Sequence, residues 1–90
     1  MRRTATTWRK ELEEVLKYRN ETWSDVESNT MTEEDMDKEF DPGFGGTEGC
    51  GFTVWTKNTI YLPATYDGAE WVVAVSRNPD GLPTPHIGGG

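Results

Sequence analysis

The sequence predicts an α+β domain: an amino-terminal amphipathic helix, a short acidic helix and a three-stranded antiparallel β-meander. Three observations lead there. Trp8, Leu12, Val15 and Leu16 fall at i, i+4, i+7 and i+8, one face of a 3.6-residue period. Beyond residue 51 the apolar period becomes two, in runs rich in β-branched and aromatic residues. Between these regions, residues 21–48 hold ten carboxylates against one cation, Lys38.

Residues 4–19 read as helix, with Thr6 or Thr7 supplying a side-chain oxygen to cap the amino end. The stripe continues through Trp23 and Val26, and Ser24 with Glu27 offers a capping box for a new start. The helix is expected to end near Thr22, followed by a bend or a short turn, so residues 1–27 form the helical part. Residues 28–50 comprise a connector at 28–31, an acidic helix and a glycine-rich loop. Thr32 caps that helix, Glu33, Glu34 and Asp35 fill its first turn where they suit the helix dipole, and Met36 and Phe40 pin it to the core. Asp41-Pro42-Gly43 ends it, because the residue before proline disfavours helix. Five glycines follow within residues 42–51.

The meander spans residues 51–77, with strands at 52–56, 59–62 and 70–76. Lys57-Asn58 turns between the first two, and Asp67-Gly68 is a two-residue hairpin signal between the second and third. Pro63 lacks a backbone donor and marks a strand end, a bulge or an edge. Residues 78–90 form a turn at Asn78-Pro79-Asp80-Gly81 and an extended, flexible tail ending in three glycines. Ile60 and Leu62 alternate with Tyr61, and Trp71, Val73 and Val75 alternate with Val72 and Ala74. Both sheet faces are therefore partly apolar, and one helix can cover only one of them. Ninety residues make a single small domain, whose lean hydrophobic content of 33% is carried by four Trp, three Tyr and three Phe.

Charge narrows the function classes. Residues 1–20 carry +3, residues 21–50 carry −9 and residues 51–90 carry −1, for a net charge of −7. Such a block repels nucleic acid and anionic membrane and attracts basic protein surfaces. No apolar run approaches the ~18 residues of a membrane span, and no secretory signal pattern is present. With one cysteine there is no internal disulfide framework. These features predict a cytoplasmic protein.

Catalytic and metal-binding patterns fail on inspection. Asp37, Glu39, Asp41 and Glu48 match positions 1, 3, 5 and 12 of a calcium loop, but Pro42 occupies the sixth position, which needs positive φ. Zinc would have to draw on Cys50, His86 and carboxylates without any ligand spacing. A Cys50–His86 nucleophilic pair lacks an orienting partner, and the glycine loop lacks the lysine of a phosphate cradle. The expectation is no enzyme, no cofactor and no metal.

Residues 54–90, through Tyr66-Asp67-Gly68-Ala69-Glu70-Trp71 and Arg77-Asn78-Pro79-Asp80-Gly81, resemble small bacteriophage-encoded proteins of no defined family. In size and acidity the chain is similar to phage anti-CRISPR and anti-restriction proteins. That resemblance implies occupation of the nucleic-acid site of a host defence complex, such as a CRISPR effector or restriction complex, in the cytoplasm of the host bacterium. The residues expected to meet such a partner are Asp25, Glu27, Glu33, Glu34, Asp35, Asp37, Glu39 and Asp41, imitating phosphates, with Trp55 and Tyr61 on the sheet. The alternative is an assembly protein that self-associates or docks through an aromatic sheet face formed by Trp55, Tyr61 and Trp71, with a homodimer as its simplest form.

Overall fold

The computed structural model describes residues 5–41, 49–66 and 69–87. Helix α1 (Trp8–Tyr18) leads through a 3-10 turn (Trp23–Asp25) into strand β1 (Val26–Asn29), and helix α2 (Glu33–Asp37) follows. Strands β2 (Val54–Thr56), β3 (Thr59–Tyr66) and β4 (Ala69–Ser76) complete an antiparallel sheet of order β1-β2-β3-β4. The α+β class holds.

The sheet is larger than expected by one strand. Residues 26–29, expected in the helical part at 1–27 and the connector at 28–31, form an edge strand against β2. The register runs Val26 opposite Thr56, Ser28 opposite Trp55 and Asn29 opposite Val54, with an irregularity between Val26 and Ser28. Backbone bonds extend the pairing, Thr30 N donating to Thr53 O at 3.1 Å. Val-Glu-Ser-Asn has no apolar alternation to announce a strand, so pairing with β2 selects the conformation.

Helix α1 starts as expected: Thr7 is extended, and its Oγ1 accepts the Lys10 N–H at 3.2 Å. It ends four residues before Thr22. Asn20 adopts φ 60°, its N–H bonds Lys17 O at 3.0 Å, and the Glu21 N–H reaches back to Leu16 O at 2.8 Å. This is a Schellman closure with asparagine in the left-handed position. The capping box after it is made by Thr22 and Asp25, not Ser24 and Glu27: Thr22 N donates to Asp25 Oδ2 at 2.8 Å.

Trp8, Leu12 and Leu16 are fully buried against Val54, Tyr61 and Val72 of the sheet, with Met31, Met36, Phe40 and Phe52 closing the core. Each such side chain contributes about 1.5–3 kcal/mol of burial. Trp8 is the hub. Its ring centroid lies 4.7 Å from Phe40 and 4.9 Å from Phe52, and its Nε1–H donates to Cys50 O at 3.0 Å. A two-bond bridge, Thr6 N to Phe40 O at 2.8 Å and Phe40 N to Thr6 O at 2.9 Å, ties the entry of α1 to the segment after α2.

β3 and β4 pair without interruption from Thr59 opposite Ser76 to Tyr66 opposite Ala69. The Asp67-Gly68 turn signal, most of the glycine-rich loop and the last three glycines fall outside the described residues. Pro63 sits within β3, opposite Val72. β2 pairs β3 only through Ile60 and Tyr61, so at Pro63 that side is an edge and no ladder bond is missed. Arg77 fastens the far end, its backbone N–H donating to Asn58 O at 2.9 Å and its guanidinium to Thr56 O at 2.8 Å.

Candidate protein-interaction surface

α2 is a single turn and a half that cannot stand alone, and three devices fix it. Thr32 and Asp35 form a reciprocal capping box, Asp35 N donating to Thr32 Oγ1 and Thr32 N to Asp35 Oδ2, both at 3.0 Å. Met36 points into the core, as does Phe40 just beyond the helix. The third device comes from α1. Arg9 Nε donates to Asp37 Oδ1 at 2.6 Å, and its NH2 group bonds Glu33 and also Asp37 Oδ2, the latter at 3.3 Å.

Glu33 and Asp37 are four apart, so they share one side of α2, and one planar guanidinium spans them. The hydrogen bonds and charge of Arg9 hold the Asp37 carboxyl below its ordinary value, and the two carboxylates raise the guanidinium in return. Both carboxylates are largely exposed while Arg9 is half-buried, so the pairs add little stability. Their effect is positional. Arg9 in turn lies 5.9 Å from the Trp23 ring centroid, and Trp23 Nε1–H donates to Glu13 Oε2 at 2.9 Å. The acidic turn is thus clamped to α1 through a cation and an indole.

The other acids divide by role. Glu34 and Glu39 are exposed. Asp35 and Asp25 face solvent while serving the two capping boxes. Glu27 pairs with Arg77 at 2.8 Å on the β1 edge, and Asp41 is half-buried. Together Glu33, Glu34, Asp35, Asp37 and Glu39 make a local acidic surface with Arg9 and Lys38 set among them.

The two sheet residues separate. Trp55 lies on the sheet face away from α1 and is partly exposed. Tyr61 does not meet a partner: it is fully buried on the α1 face. Its hydroxyl donates to Glu21, which also accepts the Thr56 hydroxyl at 2.8 Å. Burial first, then the Glu21 carboxylate, push the Tyr61 hydroxyl well above its ordinary pKa. Of the three aromatics expected to share one sheet face, Trp55 and Trp71 lie on the side away from α1 and Tyr61 does not.

Arg9, Arg77 and Glu21 are the organising residues that sequence reasoning missed. The available signal for Arg9 was the i, i+4 pair Glu33 and Asp37, whose shared side has no cation of its own within α2. Among the described residues, no group of three or more His, Cys, Asp or Glu side chains could hold a metal ion. Cys50 is exposed and borders a cleft of about 110 Å³ with Asp35, Lys38 and Trp8, while His86 borders a different cleft beside β4. No helix among the described residues is long and apolar enough to cross a membrane. The chain matches no protein-family model, no curated protein and no solved structure.

Proposed function

We infer that the protein is a non-enzymatic, phage-type inhibitor that binds a basic surface of a nucleic-acid-handling complex, a CRISPR effector or restriction complex being the class that fits. The observation that carries this reading is the Arg9 clamp. A solvated charge run needs no such device, whereas a surface imitating phosphates needs carboxylates at fixed separations. Capping, core anchors and Arg9 hold Glu33, Glu34, Asp35 and Asp37 on α2, and Glu39 follows in the segment anchored by Phe40. Fixed charges gain on-rate and specificity from complementarity that mobile ones lose. Asp25 and Glu27 extend the acidic surface along the chain.

The test compares the wild-type chain with the triple variant E33Q/E34Q/D37N. Each is immobilised, exposed to nuclease-treated bacterial lysate, eluted in salt steps and analysed by mass spectrometry; the principal captured complex is then titrated. Wild type should retain a nucleic-acid-handling complex that moderate salt releases, since exposed charges are screened beyond ~8 Å at physiological ionic strength. The triple variant should bind that complex at least tenfold more weakly, about 1.4 kcal/mol, with an unchanged circular dichroism spectrum. Equal capture by the triple variant would remove α2 from the mechanism.

A further inference from the structure

The sheet has a second face that α1 does not reach. Cross-strand register places Trp55 beside Ile60, Ile60 opposite Val75, Leu62 opposite Val73, and Ala64 opposite Trp71. Trp55, Ile60, Leu62, Trp71, Val73 and Val75 are all partly exposed. β2, β3 and β4 contain a single charged residue, Glu70, and it lies on the α1 side, buried and accepting the Gly49 N–H at 2.9 Å. A chain that is 28% charged thus presents a sheet face with no charge in these three strands. Residues 84–87 border the face along β4, forming a cleft of about 330 Å³ with residues 71–74, and leave Trp55, Ile60 and Leu62 half-exposed.

We propose that this face is a self-association surface, on which two copies pack sheet to sheet about a two-fold axis. The charge layout selects the occupant. A basic protein or a nucleic acid finds no carboxylate or cation on these strands to recognise. A second copy brings an uncharged apolar patch of the same outline, and a two-fold operator makes any such patch its own complement. The net charge of −7 opposes the pairing only weakly. The clamped acids sit on α2, packed beside α1 on the far side of the sheet. Stacked sheets lie about 10 Å apart and each helical layer lies farther out, so the two acidic turns are separated by more than the ~8 Å screening length.

Area sets the strength. Two strands of eight residues and one of three, at ~4.8 Å spacing and ~3.3 Å per residue, give roughly 300 Å² per copy, well under half of the ~800 Å² per partner of a standard stable interface. The dimer is accordingly weak and reversible. It is independent of the acidic-surface reading, because it uses the opposite face of the molecule.

Sedimentation velocity on the full chain, from about 10 μM to about 1 mM, tests this at physiological and high salt. The expected result is a monomer–dimer equilibrium that holds or tightens at high salt, as apolar association does. Val73→Glu and, separately, Leu62→Lys should each weaken it at least tenfold while preserving the circular dichroism spectrum; Leu62→Lys serves alone if Val73→Glu fails to fold. The triple variant of α2 should dimerise like wild type, which keeps failure of this proposal distinct from failure of the acidic-surface reading. A monomer throughout, a dimer dispersed by salt, or a dimer indifferent to a folded face variant would each overturn the proposal.

Discussion

Replacing Gly49 with alanine tests the aromatic hub. A Cβ built at Gly49 would stand 2.7 Å from Trp8 Cζ2 and 2.9 Å from Cε2 and Nε1, closer than real contacts permit. The backbone of Gly49 is not in the left-handed region, so the methyl adds no conformational strain of its own. The ring cannot swing aside without giving up Phe40, Phe52 and the bond to Cys50 O. Overpacking of this kind costs about 1–3 kcal/mol. Loss of glycine's freedom in the unfolded chain returns about 0.4–1 kcal/mol. The net is a destabilisation of about 0.5–2 kcal/mol, or roughly 3–15 °C in Tm for a domain of this size. Urea and thermal unfolding followed by circular dichroism would measure it. A cycle with Trp8→Phe isolates the cause, since phenylalanine lacks the atoms that collide. In that background Gly49→Ala should cost little or even stabilise. An equal cost in both backgrounds, with coupling below about 0.3 kcal/mol, would refute the steric reasoning.

Tyr61→Phe should cost about 1–3 kcal/mol at neutral pH, through loss of a hydroxyl-to-carboxylate bond. Because the folded state raises the pKa of this hydroxyl, its contribution is complete below the ordinary tyrosine value near 10 and falls as pH rises above it, where the unfolded chain ionises first. Urea titrations at neutral and strongly alkaline pH should therefore show the gap between wild type and variant narrowing on the alkaline side; a constant gap would contradict the assignment. Thr32→Ala removes the oxygen that accepts the Asp35 N–H and should cost about 0.5–2 kcal/mol. Hydrogen exchange should show faster opening of the α2 amides than of the β3–β4 ladder, and uniform exchange would show that the cap does not control this turn.

The parts of the fold legible in the sequence are those whose pattern is local. Trp8, Leu12 and Leu16 recur with the helical period, and β4 alternates after a turn signal, so the existence of α1 and the limits of β4 are legible, whereas β3 runs through Pro63 to Tyr66, four residues past its expected end at Leu62. β1 is not legible, because Val26 is its only apolar residue and its conformation is set by a strand some 25 positions away. The helix end is not legible from the apolar stripe, which Trp23 and Val26 continue, because Asn20 and the Thr22–Asp25 box stop the helix at Tyr18. The start of the acidic turn is legible from Thr32 and Asp35 and its anchors from Met36 and Phe40, but it stops at Asp37, four residues before the expected end at Asp41, because Lys38 is already extended and Phe40 bridges to Thr6. Its clamp is not legible, since nothing local distinguishes Arg9 from the other cations of residues 2–19. The two apolar sheet faces are legible too, but alternation within a strand does not give the register between strands, and the observed register puts Tyr61 on the face opposite Trp55 and Trp71.

The two rims of the sheet are guarded by different means. β1 is four residues long, irregular in register and bears Glu27, and each trait discourages a foreign strand from pairing there. β4 has none of these defences: it runs eight residues in unbroken register, without proline. What lies beside it is the segment carrying Pro83 and Pro85, residues that cannot offer the donors a continuing ladder requires. That segment forms no compact core of its own, with Leu82 and Ile87 both exposed. A foreign strand that reaches this end of β4 therefore meets a neighbouring segment with few donors to extend a ladder.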